Sequence, residues 1–306
     1  MRFLPKFSLL FRRPEPETTS VPLANRGLVR RLEINSRRRL AASLAGAYRS
    51  QFRGQGMEFS ELRPYQPGDD VRTIDWNVTA RTGVPHVRQY REERSRSLTL
   101  LIDLSASFAG AKRDLLFETT GLLAFAAANS GDRVSLVAFT DRIEHLILPE
   151  TGVRHARRII AELIAHHPRG RCTDLAPPIE AALQLNRRPG ILILISDLHA
   201  PLPLKRLSEA NSRHDLVVLI PRNPQEIIPE TKGLWRVADR ETLTEKIVDL
   251  SNEAKRAAYA TEWEYNDIEL TEQLHSLSID HAFLNAGESV LPTLLRLFRR
   301  RSGRRR

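Results

Sequence analysis

Two short apolar runs, Leu98-Thr-Leu-Leu-Ile102 and Ile191-Leu-Ile-Leu-Ile195, constrain this chain more than anything else in it. Neither alternates with polar residues, so neither reads as a strand with one wet face. Runs of this length, rich in Leu and Ile, are strands covered on both sides, and a sheet with helices on both faces provides that cover. The rest of the chain supplies the partners. Strands are expected at 98–103, 133–140, 191–196, 214–220 and 279–284, and helices near 110–129, 153–166, 175–187, 203–212, 242–260 and 288–300. Asp141-Arg142 reads as the turn of a hairpin that adds one antiparallel strand, and Pro221 to Leu234 as a surface excursion. The alternation predicts an α/β fold with a mostly parallel sheet. Ligands of such sheets gather beyond the carboxyl ends of the strands.

Those ends carry hard oxygen donors. Asp103-Leu-Ser105-Ala-Ser107 leaves the first run, Thr173 follows a Gly/Arg-rich turn, and Asp197 follows the second run. Two carboxylates and three hydroxyls suit one divalent cation such as Mg²⁺. With only two negative charges around it, the ion stays electrophilic and can accept a further carboxylate from a partner. A plainer reading stands beside this one. Ser105 or Ser107 caps the helix that follows, Thr173 caps the helix from Asp174, and Asp197 is a turn residue.

Ahead of the sheet the pattern changes. Residues 1–23 read as a mobile basic arm. Residues 24–97 hold a helix, with Leu32, Ile34, Leu40, Leu44 and Tyr48 at mostly helical spacing, and then a small β module. In the module Met57 to Leu62 alternates as a strand does, Pro67-Gly68-Asp69-Asp70 is a turn, and Val71 to Asp75 and Pro85 to Tyr90 read as further short strands. Residues 98–302 form the sheet domain and 303–306 a basic tail. Acids and arginines alternate through the module, so Arg–carboxylate pairs are expected to fix its loops, with Trp76 and Tyr65 as apolar anchors. Arg63, Asp69, Asp70, Asp75, Trp76 and Arg81 are the candidates for a partner-docking surface. A metal-binding or proton-transfer role for Asp69, Asp70 and Asp75 is the weaker reading, because Pro-Gly-Asp-Asp is also an ordinary turn.

Two resemblances sharpen this reading. Asp103, Ser105, Ser107, Thr173 and Asp197 resemble the metal-ion-dependent adhesion site (MIDAS) of a von Willebrand factor A domain, a Rossmann-like fold, over roughly 97–302. The run from Glu58-Phe59-Ser-Glu61-Leu62-Arg63-Pro64-Tyr65 through Pro67-Gly68-Asp69-Asp70-Val71-Arg72-Thr73-Ile74-Asp75-Trp76 is joined by Thr79-Ala80-Arg81 and Tyr90-Arg91-Glu92-Glu93-Arg94. Together they resemble the signature of the bacterial family called domain of unknown function 58. The resemblance implies a MoxR-type AAA+ ATPase, or its client, as protein partner. It further implies a non-enzymatic, Mg-dependent adaptor in complex assembly or chaperone-like maturation.

Composition bounds the alternatives. The net charge of +10 is uneven: residues 1–53 carry +9 and residues 296–306 carry +7, leaving −6 between them. Basic ends of this kind bind anionic lipid, nucleic acid or an acidic surface, or are solvated tails. The arms' aromatics do not interleave as a stacking platform for nucleic acid. No apolar run is long enough to span a membrane and no secretory pattern opens the chain, so a cytoplasmic protein, in peripheral contact with the inner membrane at most, is expected. The single cysteine, Cys172, excludes an internal disulfide. There is no Walker motif and no Gly-x-Ser-x-Gly elbow. His155, His166 and His167 lack zinc spacing and read as surface or helix-terminal residues. A phosphohydrolase with Asp103 as nucleophile is the enzymatic alternative. Against it stand the lack of a second acid two residues on and of a lysine in an evident role.

Overall fold

The computed structural model describes residues 44, 46–48, 57–92, 96–224, 233–238, 240–241, 243–249 and 251–304. The expected basic arm, most of the expected first helix and the last two arginines lie outside the described residues. What is described of that helix, around Leu44 and Tyr48, is helical and buried.

The β module pairs β1 (Met57–Pro64) antiparallel to β2 (His86–Glu92). Between them run a 3₁₀ turn (Val71–Thr73) and a short helix, α1 (Trp76–Thr82). The segment expected as a strand at Val71 to Asp75 is therefore a turn. Asp70 and Asp75 explain why, since each carboxylate accepts backbone N–H groups that open a helical turn.

The sheet domain contains β3 (Ser97–Asp103), α2 (Ala111–Asn129), β4 (Arg133–Phe139), β5 (Ile143–Thr151), α3 (Val153–Ala165), α4 (Ala176–Leu185), β6 (Ile191–Ile195), α5 (Leu204–Arg213) and β7 (Asp215–Arg222). It continues with β8 (Leu234–Ala238), β9 (Glu245–Asp249), α6 (Glu253–Ser276), β10 (Asp280–Asn285) and α7 (Val290–Arg304). Six strands form one sheet in the order β10-β7-β6-β3-β4-β5, all parallel except the edge strand β5. Strand order thus reverses beside β3, the doubly wound arrangement that opens a crevice at the carboxyl ends. The expected architecture, a mostly parallel sheet with helices on both faces, is the one found.

Alternate side chains of each strand feed opposite layers. Leu98, Leu100 and Ile102 of β3 pack with α2, α3, α7, Leu44 and Tyr48. Leu101 packs with α4, α5 and the end of α6. Helix α2 is buried almost all round, as a helix between a sheet and further helices must be. On the second layer Thr99 shares a hydrogen bond with Ser135 and accepts one from Asn186, so the hydroxyl inside β3 is satisfied.

One expected element is displaced. The helix expected at 242–260 is instead the hairpin β8–β9 followed by α6, which begins at Glu253. Leu243 and Ile247 are exposed on the hairpin. Within α6 only Leu270 and Leu274 are buried, leaving most of that helix without an apolar face for sequence reading to find.

Arg222 locks α6 to the sheet. Its guanidinium is buried, pairs with Asp267 of α6 through Nε and Nη2, donates from Nη1 to the Asp197 carbonyl at 2.7 Å, and lies over the Phe283 ring. Arg222→Ala leaves the buried carbonyl of Asp197 without this donor and removes Asp267's partner. We expect a loss of about 3–5 kcal/mol in urea unfolding, the range for removing one partner of a buried pair. Arg222→Lys should recover little of it, because one ammonium cannot reach both groups with the guanidinium's planar fork.

Candidate metal centre

Asp103 ends β3 and Asp197 stands two residues beyond the last residue of β6, the neighbouring strand. Both are buried. Asp103 Oδ1 accepts from the Ser105 N–H at 2.9 Å, and Oδ2 accepts from the Ser196 hydroxyl at 2.7 Å and more weakly from Thr173 Oγ1 at 3.5 Å. Ser105 and Ser107 face each other at 3.0 Å. Burial, and behind it the charge of Asp197, pushes the Asp103 carboxyl up to about 7 against the hydrogen bonds from Ser196 and Ser105.

Burial also acts to raise Asp197, but His199, Lys112 and the Ser107 hydroxyl overcome it and hold that carboxyl below the usual range. Lys112 Nζ donates to Asp197 Oδ2 at 3.0 Å from a fully buried position on α2. Asp197 Oδ1 is buried without a hydrogen-bond partner among the described residues. Leu198, next in the chain, has φ of +55°, a conformation costly for a branched residue, and its N–H donates back to Ser196. This reversal lets Ser196 and Asp197 both serve the same site.

The hydroxyls are not helix caps. Helix α2 has Gly110 at its N-cap, whose φ of +54° favours glycine, and no side-chain cap. The N–H of Ala176 in α4 is taken by Asp174, not Thr173. Ser105, Ser107 and Thr173 thus face the carboxylates, and the plainer capping reading of them does not hold.

The Thr173 loop is set by a residue that sequence reading overlooked. Glu144 of β5 accepts the N–H groups of Arg169 and Gly170 and the Thr140 hydroxyl. Gly170 sits so close that a Cβ there would collide with Thr140 and Asp141. The Arg171 carbonyl then accepts from the Ala106 N–H at 2.9 Å, joining this loop to the Asp-x-Ser-x-Ser turn.

Two further residues at the site were not anticipated. Lys112 supplies the lysine whose absence counted against aspartyl chemistry, although it sits on Asp197. Glu241, between β8 and β9, places its carboxylate on Thr173, accepting from the backbone N–H at 3.1 Å and from Oγ1 at 3.0 Å. The only hint in the sequence was an acid in a turn, which is common. Among the described residues no three His, Cys, Asp or Glu side chains gather as a metal cluster. The set that would hold a cation here is two carboxylates with three hydroxyls. It fits a hard divalent ion: the donors are all oxygen, the two buried carboxylates repel each other, and Asp197 Oδ1 has room to accept a further partner.

The module candidates divide. Arg63 grips Asp69 through two hydrogen bonds of 2.8 and 2.7 Å, while Asp70 and Asp75 are caps. Trp76, expected as an anchor, is 67% exposed, and Arg81 is exposed too. Arg72 is exposed, and the remaining acids and arginines expected in the network have side chains outside the described residues. His155 is another correction: it is buried and hydrogen-bonded to the Val134 carbonyl. His166 ends α3, as expected.

The description "Protein of unknown function DUF58" matches residues 61–268, spanning both the β module and the centre. The chain belongs to the DUF58 family. Curated relatives include the uncharacterized proteins Rv1480 of Mycobacterium tuberculosis and Mb1516 of Mycobacterium bovis, each 33% identical over 207 residues, 65% of this chain and 65% of theirs. This chain thus spans slightly under two thirds of the relatives it matches. Solved structures that superpose on it include the conserved hypothetical protein BatB from Bacteroides thetaiotaomicron, with TM-score 0.42 and 12% identity over 68% of this chain and 99% of that one. The vWF domain of the pilus tip protein Mfa5 from Porphyromonas gingivalis superposes with TM-score 0.28 and 12% identity over 66% and 85%. Both likenesses are loose, and the fold of this DUF58 protein stands on its own strand order. No described helix is long and apolar enough to cross a membrane.

Glu144 makes the loop pH-sensitive. Burial raises its pKa, but the N–H groups of Gly170 and Arg169 with Thr140 and His166 lower it more, to a net value below the usual. A depressed folded pKa stabilises above the ordinary glutamate value near 4.3, and the contribution is lost as pH falls through the folded pKa. Glu144→Gln should cost about 1–3 kcal/mol at pH 7. In urea titrations the gap to wild type should shrink as pH is lowered from 5 towards 3.

Proposed function

We propose that this DUF58 protein is a non-enzymatic, Mg²⁺-dependent adaptor that captures an acidic side chain of a protein partner, the partner being a MoxR-type AAA+ ATPase or its client. One observation carries this reading: Asp103 and Asp197 meet at the ends of adjacent central strands, faced by three hydroxyls released from capping duty. Asp103, Ser105, Ser107, Thr173 and Asp197 would hold the ion. When bound, the cation supplies a positive centre for a partner carboxylate. The protein's own residues do the rest. Ser196 orients Asp103, Lys112 and Arg222 fix Asp197, and Glu144 holds Thr173 in reach.

Binding rather than turnover is supported by the residue two places after Asp103, which is Ser105 rather than an acid, and by Lys112 lying on Asp197. The ATPase as partner is supported by the signature alone, and a cytoplasmic setting carries over the expectation from the apolar pattern of the sequence. Contact of the basic ends with a membrane surface extends the same reading.

The test is capture of a co-expressed MoxR-type ATPase by tagged protein. Binding is expected in Mg²⁺, with at least a tenfold loss in EDTA or in Asp103→Ala, whose circular dichroism and melting should show an intact fold. Undiminished capture by Asp103→Ala in EDTA would overturn the proposal.

A further inference from the structure

Glu241 occupies the face of Thr173 from which an incoming acid would approach. Its two carboxylate oxygens take the Thr173 N–H and hydroxyl. The neighbouring backbone is pinned to the same loop, with Arg171 Nη2 donating to the Arg240 carbonyl at 3.0 Å and Cys172 Sγ donating weakly to the Glu241 carbonyl at 3.8 Å. We propose that Glu241 is an internal carboxylate that closes the centre in cis, and that a partner binds by replacing it with an acidic side chain of its own. This inference rests on the adaptor reading above and names the event that opens the site.

The carrier of Glu241 is built to move. Strands β8 and β9 pair with each other and, among the described residues, with no other strand. A lone two-stranded hairpin is marginal in water. Leu234, Leu243 and Ile247 on it are exposed rather than packed into either core layer. Leu243, two residues after Glu241, has φ of +59°, which costs a branched side chain energy in the docked form. Among the described residues, polar contacts to Thr173, Arg171 and Cys172 tie the hairpin to the loop. An acid from outside can take the place of the Glu241 carboxylate on the Thr173 N–H and hydroxyl. The partner chemistry follows: an exposed Asp or Glu on a segment slender enough to reach Thr173 once the hairpin lifts.

The experiment uses the full chain as wild type, Glu241→Gln, Glu241→Ala and, as a control on the same hairpin, Glu245→Ala. Hydrogen exchange of residues 234–249 is followed with and without Mg²⁺. Binding of a fluorescent Gly-Gly-Glu-Gly-Gly peptide is measured by polarisation, and Mg²⁺ binding by calorimetry. In wild type and Glu245→Ala, Mg²⁺ should slow exchange across the hairpin. In both Glu241 variants that protection should vanish, and the peptide should bind at least tenfold more tightly than to wild type, with EDTA abolishing the binding. Equal protection and equal peptide affinity in all four proteins, with Mg²⁺ binding intact, would overturn the internal-ligand proposal and leave the adaptor reading standing. Failure of every protein to bind Mg²⁺ would overturn both.

Discussion

Two carboxylates that should avoid each other set the terms for this structure. Asp103 and Asp197 come from adjacent central strands, and both are withdrawn from water. A buried ionised carboxylate is unfavourable unless paired or hydrogen-bonded, and two together are worse. The surroundings answer with donors from every direction. Ser196 and the Ser105 N–H face Asp103, Lys112 reaches Asp197 from α2, and Arg222 fixes the Asp197 backbone while holding α6. The compensation is incomplete, as the elevated pKa of Asp103 and the orphaned oxygen of Asp197 show. Structures leave such a deficit where a site requires it.

The sheet was legible because its strands are buried on both faces. Continuous apolar runs such as Ile191–Ile195 have few other interpretations, and the Asp and Ser residues at their ends could be placed by topology alone. Legibility failed where burial failed. Helix α6 shows the core little besides Leu270 and Leu274, and the hairpin before it exposes its larger apolar residues, so no period could separate one from the other. Lys112 was hidden for the opposite reason. A lysine near a helix start reads as solvated, and only the placement of α2 against Asp197 makes it a buried ion-pair partner. Glu144 and Glu241 act through backbone N–H groups or a hydroxyl far away in sequence, contacts that leave no local pattern.

The β module shows how a charge-rich signature can be structural in one part and open in another. Asp69 is held by Arg63, and Asp70 and Asp75 accept backbone N–H groups as caps, so each carboxylate also shapes a turn. Beside them the module presents Trp76 with Val71 and Val84, all largely exposed. Acids fix the turns and thereby hold an aromatic side chain out in solvent.

The charge balance at the centre ties its parts together. Asp103 and Asp197 contribute two negative charges when ionised, and Lys112 cancels one. A divalent cation held by that set leaves a net positive charge of one in a weakly screened site, where Coulomb attraction acts at close to full strength. A single further carboxylate is what neutrality requires. With Lys112 in place, a bound divalent cation would need one further acid for neutrality, and under the proposed exchange either the chain's own Glu241 or an acid from outside would supply it. That equivalence allows one acid to exchange for another without leaving a bare charge in the crevice.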